Sequence, residues 1–174
     1  MIYIIRHGET DWNVEGRYAG RMNIPLNKKG IEQARKLKEK FKNIKIDIVI
    51  TSPLIRAIQT ADKIVNNEKI IDYRIIERSN GELEGKLKSE ITWKIDFNNS
   101  NDKKYNIESI DEFRKRIYDF LDEIKEKYKG KNVLIVTHAG VCLYIREYFE
   151  GKPSSGNYSE YKLKNCECLK YKNM

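Results

Sequence analysis

Two short apolar runs, each halted by a histidine, constrain this chain more than any other feature of it. Met1-Ile2-Tyr3-Ile4-Ile5 runs into Arg6-His7-Gly8-Glu9-Thr10, and Val133-Leu134-Ile135-Val136-Thr137 runs into His138-Ala139-Gly140. A short β-rich apolar run that stops abruptly at polar residues reads as a buried strand. The 174 residues contain only these two histidines. In an open α/β sheet, ligands bind beyond the carboxyl ends of the strands, so His7 and His138 are expected to build one site between them.

The chain between the two runs alternates helical and extended patterns. Asn27 is placed to cap a helix from Lys28 to about Lys42, with Ile31, Ala34, Leu37 and Phe41 on one face. Ile46 to Thr51 reads as a strand, followed by Ser52 as a cap and Pro53 at the first position of a helix to about Asn66. Lys69 to Tyr73 predicts a short strand, residues 86–95 a weak helix, and Asp96 to Asn106 a polar loop. Ser109 and Glu112 have capping-box spacing for a helix to about Tyr128, with Ile110, Phe113, Ile117, Phe120, Leu121 and Ile124 as its core stripe and Gly130 after it. A helix from about Val141 to Phe149 and a strand near Cys166 to Tyr171 complete the order, while Gly8 to Pro25 lacks periodicity and reads as a loop wrapping the site. Strands alternating with helices imply an α/β sandwich, helices on both faces of a mostly parallel sheet. The length fits one domain over residues 1–174.

Composition narrows the partners. With 40% hydrophobic and 34% charged residues the chain reads as a soluble globular protein. No run approaches the roughly 20 apolar residues of a membrane span, and no signal peptide is evident. Cys142, Cys166 and Cys168 are odd in number and not spaced as a disulfide framework, which points to reduced thiols and a cytoplasmic location. Cys166 and Cys168 alternate on the predicted last strand, but with no spare histidine neither a metal site nor any cofactor is expected. The net charge of +8 is spread over helices in which lysine alternates with acid, without interleaved aromatics. That pattern argues against a nucleic-acid partner and leaves a field able to concentrate small anions.

His7, the turn from Ser52 to Arg56 and His138 all fall at strand ends. Two arginines and an imidazole can surround a tetrahedral dianion, because the guanidinium fork matches phosphate oxygens. The Ala139-Gly140 turn adds backbone N–H groups at a helix N-terminus. Taken singly, Arg6 and Arg56 also read as surface cations, Asn13 as an Asx turn, and Glu77 as a surface partner of Arg78.

Four segments together resemble the histidine phosphatase superfamily, the phosphoglycerate-mutase-like family. They are Arg6-His7-Gly8-Glu9-Thr10 with Trp12-Asn13, Ser52-Pro53-Leu54-Ile55-Arg56-Ala57 with Gln59-Thr60-Ala61, Glu77-Arg78 with Gly81 and Glu84-Gly85, and Thr137-His138-Ala139-Gly140. They occur in the family's order and span residues 2–146. The resemblance implies a three-layer α/β/α sandwich. It makes His7 a nucleophile forming a transient phosphohistidine, with Arg6, Asn13, Arg56 and His138, beside Ala139 and Gly140, holding the phosphoryl group. Glu77 becomes the general acid, while Glu9 is expected to orient the loop or a neighbouring arginine. Asn80 and Leu83 depart from the aromatics usual around the acid loop, and Arg21-Met22-Asn23 replaces a segment more commonly acidic. The family's mutases usually carry an insertion after the acid loop, whereas Gly85 to Ser109 is short and polar here. The expectation is therefore a phosphomonoester phosphatase for a small metabolite such as a sugar phosphate or α-ribazole phosphate. The alternatives are a cofactor-dependent phosphoglycerate mutase and a non-catalytic phosphate-binding module.

Overall fold

The computed structural model describes residues 1–91 and 105–173. Its five-stranded sheet comprises β1 (Ile2–Arg6), β2 (Ile48–Thr51), β3 (Lys69–Ile71), β4 (Val133–Thr137) and β5 (Cys168–Tyr171), in the order β3-β2-β4-β1-β5. The first four run parallel, and β5 pairs antiparallel with β1. Period-two alternation sends the side chains of β1 to opposite faces. Ile2 and Ile4 pack with α4 (Ile110–Lys127) and α5 (Ala139–Glu150), while Tyr3 and Ile5 pack with α2 (Lys28–Phe41) and α3 (Ile55–Ile64). Two apolar cores on one sheet make the expected three layers. No described helix is long and apolar enough to cross a membrane.

Local signals set most boundaries. Asn27 Oδ1 accepts from the Gly30 N–H to start α2, and Ser109 Oγ accepts from the Glu112 N–H to start α4. Other boundaries move. The expected loop after Gly8 contains a helix, α1 (Asp11–Glu15), closed by a reciprocal Thr10–Asn13 cap and by Gly16 at φ 73°. Ser52 does not cap α3. That helix begins at Ile55, whose N–H donates to Asn23 Oδ1 from the distant loop. The predicted helix over 86–95 is a single 3₁₀ turn at Lys88–Glu90, and its residues 92–95 lie outside the described residues, as does the predicted polar loop up to residue 104. Cys166 precedes β5 in a left-handed conformation at φ 58°, although it and Cys168 still pack on the same core.

Candidate active site

β1 and β4 are adjacent, so His7 and His138 emerge side by side with ring centroids 5.2 Å apart. The His7 main-chain N–H donates to the Thr137 carbonyl at 2.9 Å, which locks the two strand ends together. His7 is 4% exposed, and its Nδ1 lies 2.7 Å from the Gly8 carbonyl. A carbonyl can only accept, so Nδ1 carries the proton and Nε2 keeps its lone pair. Burial, then the Arg56 charge, hold His7 well below its ordinary value, with Arg6 adding to them against the opposing Gly8 bond. The imidazole is neutral at physiological pH.

Beside it lies a cavity of about 550 Å³. Arg6, His7, Asn13, Arg56, Glu77, Ala139 and Gly140 all line it, so the structure brings these expected residues together. Arg6 donates through Nη1 to the Leu163 carbonyl at 2.6 Å, while its Nε is buried without an acceptor among the described residues. Arg56 is 1% exposed and donates to the carbonyls of Met22 and Gly20 at 2.7 and 2.8 Å. Burial pushes its guanidinium down to about 10, against the pull of Glu77 and Glu84, so it stays charged at neutral pH. Asn13 Oδ1 accepts from the Thr10 N–H and from Asn165 Nδ2, both at 3.2 Å. In place of the Asx turn that the sequence also allowed, Asn13 completes the Thr10 capping box and lies on the cavity wall.

Two expectations change in detail. His138 is fully buried and is not among the residues lining the cavity. Arg56 Nε donates to its Nδ1 at 3.3 Å, which leaves the proton on Nε2, facing Ser52 Oγ at 2.6 Å. Both nitrogens are thereby engaged, and the link of His138 to the cavity wall is its bond with Arg56. The Gly140 N–H is also not free, since it donates to Glu77 Oε2 at 3.1 Å, and Glu77 Oε1 accepts from the Arg78 N–H at 2.9 Å. A Cβ on Gly140 would stand 2.5 Å from Glu77 Oε1, so only glycine lets the carboxyl lie on the first turn of α5.

The surrounding groups explain the loop's position. The Gly8 N–H donates to Thr60 Oγ1, and Glu9 bonds Asn27 Nδ2 and Lys29 Nζ rather than an arginine. Leu83 is buried, while Asn80 lines the cavity. Residues missed from the sequence are Arg17, Tyr18, Lys88, Tyr144, Tyr158 and Lys162, all on the cavity wall. None ends a strand, so strand-end reasoning could not find them. The cysteines take no part among the lining residues. Burial pushes Cys166 up to about 12 and Cys168 up to about 11, keeping both as unreactive thiols.

This geometry meets known proteins over nearly its whole length. Residues 2–172 match the histidine phosphatase superfamily (branch 1). An uncharacterized phosphatase of Bacillus subtilis, PhoE, is 36% identical over 160 residues, covering 87% of this chain and 79% of its own. The adenosylcobalamin/alpha-ribazole phosphatase of Escherichia coli is 30% identical over 164 residues, covering 88% and 80%. The crystal structure of phosphoserine phosphatase from Entamoeba histolytica, in complex with 3-phosphoglyceric acid, superposes with a TM-score of 0.79 at 27% identity, covering 96% of this chain and 87% of that one. A matching family over the whole sheet, with its motif residues gathered at one cavity, leaves a single assignment: the chain belongs to the histidine phosphatase superfamily.

Proposed function

We propose that the cavity hydrolyses phosphomonoesters of small metabolites through a phosphohistidine on His7. The observation that carries this reading is the Nδ1–Gly8 bond, which keeps a neutral Nε2 lone pair beside buried Arg56 and half-buried Arg6. In the first step Nε2 attacks phosphorus and the P–O bond to the leaving group breaks. Phosphoryl transfer asks for little beyond alignment and charge stabilisation on the equatorial oxygens. Arg6, with its unpaired buried Nε, and Arg56 supply the charge, and the amide NH₂ of Asn13 is left to donate because its oxygen is committed. Glu77 gives its proton to the leaving alkoxide. In the second step water attacks the phosphohistidine, its proton passes to Glu77, and inorganic phosphate leaves with His7 neutral again.

The chain is a phosphoric monoester hydrolase by its family and its phosphatase relatives. Their names span α-ribazole and serine phosphates, which supports a small phosphorylated metabolite as substrate; in our reading a single domain over residues 1–174 handles it. The same reading puts the enzyme in the cytoplasm, with neither nucleic acid nor membrane as partner. The test is a metal-free hydrolysis screen over sugar phosphates, nucleotides, glycerates and phosphoamino acids, beside His7→Ala. Turnover lost in the variant supports the reading. Phosphoryl exchange with 2,3-bisphosphoglycerate that exceeds hydrolysis would replace it with a mutase, and phosphate binding without turnover with a binding module.

A further inference from the structure

Glu77 is held at both ends. Its carboxyl lies on α5, while its main-chain carbonyl accepts from Arg116 Nη2 of α4 at 3.2 Å and from Arg21 Nε at 3.3 Å. Two guanidiniums on one carbonyl oxygen repel each other unless a counter-charge joins them. Glu108 is that charge, with a side chain 10% exposed. Its carboxylate takes Arg116 in a two-pronged grip, Nε to Oε1 at 2.8 Å and Nη2 to Oε2 at 3.0 Å, and meets Arg21 Nη2 at 3.2 Å. Such paired, charge-assisted bonds fix direction as well as distance. Glu108 also grips the two residues after the acid: Oε2 accepts from the Ser79 N–H, and its main-chain carbonyl accepts from Arg78 Nε.

Arg21 extends the grip to the phosphate side. It stands between Gly20 and Met22, whose carbonyls hold Arg56. A second carboxylate closes the same joint, since Glu84 Oε1 accepts from the N–H groups of Arg21 and Asn80. The loop carrying Arg21, where the family more commonly has acidic residues, is thereby stapled to the acid loop by this arginine.

We propose that Glu108 is a positioning residue for the general acid, aligning Glu77 with the phosphoryl site through Arg116 and Arg21. The proposal rests on the reading of Glu77 as that acid. An acid displaced by about 1 Å loses on the order of 10²-fold in rate, so the effect is measurable. The experiment compares kcat/KM, which reports only the steps up to phosphorylation of His7, on p-nitrophenyl phosphate, whose leaving group needs no proton, and on glycerol phosphate, whose leaving group does. Vanadate inhibition and thermal melting are measured beside them. Glu108→Gln is expected to slow glycerol phosphate about 10- to 100-fold and p-nitrophenyl phosphate less than about threefold, with vanadate affinity retained. Arg21→Met, at a side chain 41% exposed, is expected to show the same split more weakly and tests the proposal even if Glu108→Gln fails to fold. In a Glu77→Gln background Glu108→Gln should add nothing on glycerol phosphate. Equal losses on both substrates, additive losses in the double variant, or no split in Arg21→Met would make Glu108 a structural ion pair and overturn the proposal while leaving the acid in place. If Glu77→Gln itself shows no split, the acid assignment falls and the proposal with it.

Discussion

The floor of the cavity and its rim are built differently. His7 and Arg56 form the floor with His138 packed behind Arg56, each no more than 4% exposed, and each is fixed at a strand end or a first helical turn. Their neutralising groups are uncharged: carbonyls of Gly8, Gly20 and Met22, and the hydroxyl of Ser52. Among the described residues no carboxylate forms an ion pair with Arg56, and Glu77 and Glu84 act on it only through their charge. The rim is the reverse. Glu77, Arg78, Arg21 and Glu108 lie on irregular segments or helix ends, tied by ion pairs and charged hydrogen bonds between loops. On the proposed function, the floor would recognise what all phosphomonoesters share, and the rim would control proton delivery to what differs among them.

The largest effect should come from breaking the floor at its nucleophile. His7→Ala is expected to reduce hydrolysis to background on every substrate, and the acid-labile, alkali-stable phosphoenzyme trapped by an alkaline quench should disappear. Turnover persisting on any ester would move the nucleophile elsewhere. Arg56→Ala comes next. Each charged hydrogen bond is worth about 1.5–3 kcal/mol, so vanadate affinity should fall at least about tenfold. Its melting temperature should also fall, because the Gly20 and Met22 carbonyls lose their donor. Unchanged vanadate inhibition would place Arg56 outside phosphate recognition.

Breaking the rim should spare binding. Glu77→Gln is expected to lower kcat/KM for esters with poor leaving groups by about 10²-fold or more while p-nitrophenyl phosphate loses far less in kcat/KM. Equal losses would remove Glu77 from proton transfer. The floor also has a pH signature. His7 and His138 are held well below their ordinary values by burial and by Arg56, so the unfolded chain binds more protons than the native one on acidification. Stability from these groups is present above the unfolded value of about 6.5 and is lost as pH falls through the depressed native values. The melting temperature of phosphate-free protein should therefore drop below about pH 6.5, with a shallower slope in His7→Ala. Identical slopes would show that burial of His7 does not couple to folding. The smallest effect should be that of EDTA, after which activity is expected to stay unchanged; strict dependence on a divalent ion would contradict the histidine route.

Much of the floor is legible in the sequence because it rests on local rules. An apolar run, a halt at histidine and a glycine identify β1 and β4 and place His7 and His138 together. Asn27 and Ser109 announce α2 and α4 through caps that bond within their own first turns. Where the partner is distant, the same reasoning fails. Asn23 caps α3 from across the chain, so Ser52 and Pro53 misplace its start, and α1 is too short for periodicity to register. Asn13 and Thr10 did carry a reciprocal cap signal ahead of Gly16 that would have found α1.

The sequence by itself determined the layer architecture, the family and most of the residues gathered at the cavity, because hydrophobic period, strand ends and motif order are properties of short segments. Only the tertiary structure decided which groups face one another: His138 behind Arg56, the Gly140 N–H beneath Glu77, and Glu108 between Arg116 and Arg21. These contacts join residues from 8 to 87 positions apart, and their geometry depends on how helices pack against the sheet rather than on any local preference. Such charged contacts form where the fold has already excluded water, and that exclusion is a property of the whole packed molecule.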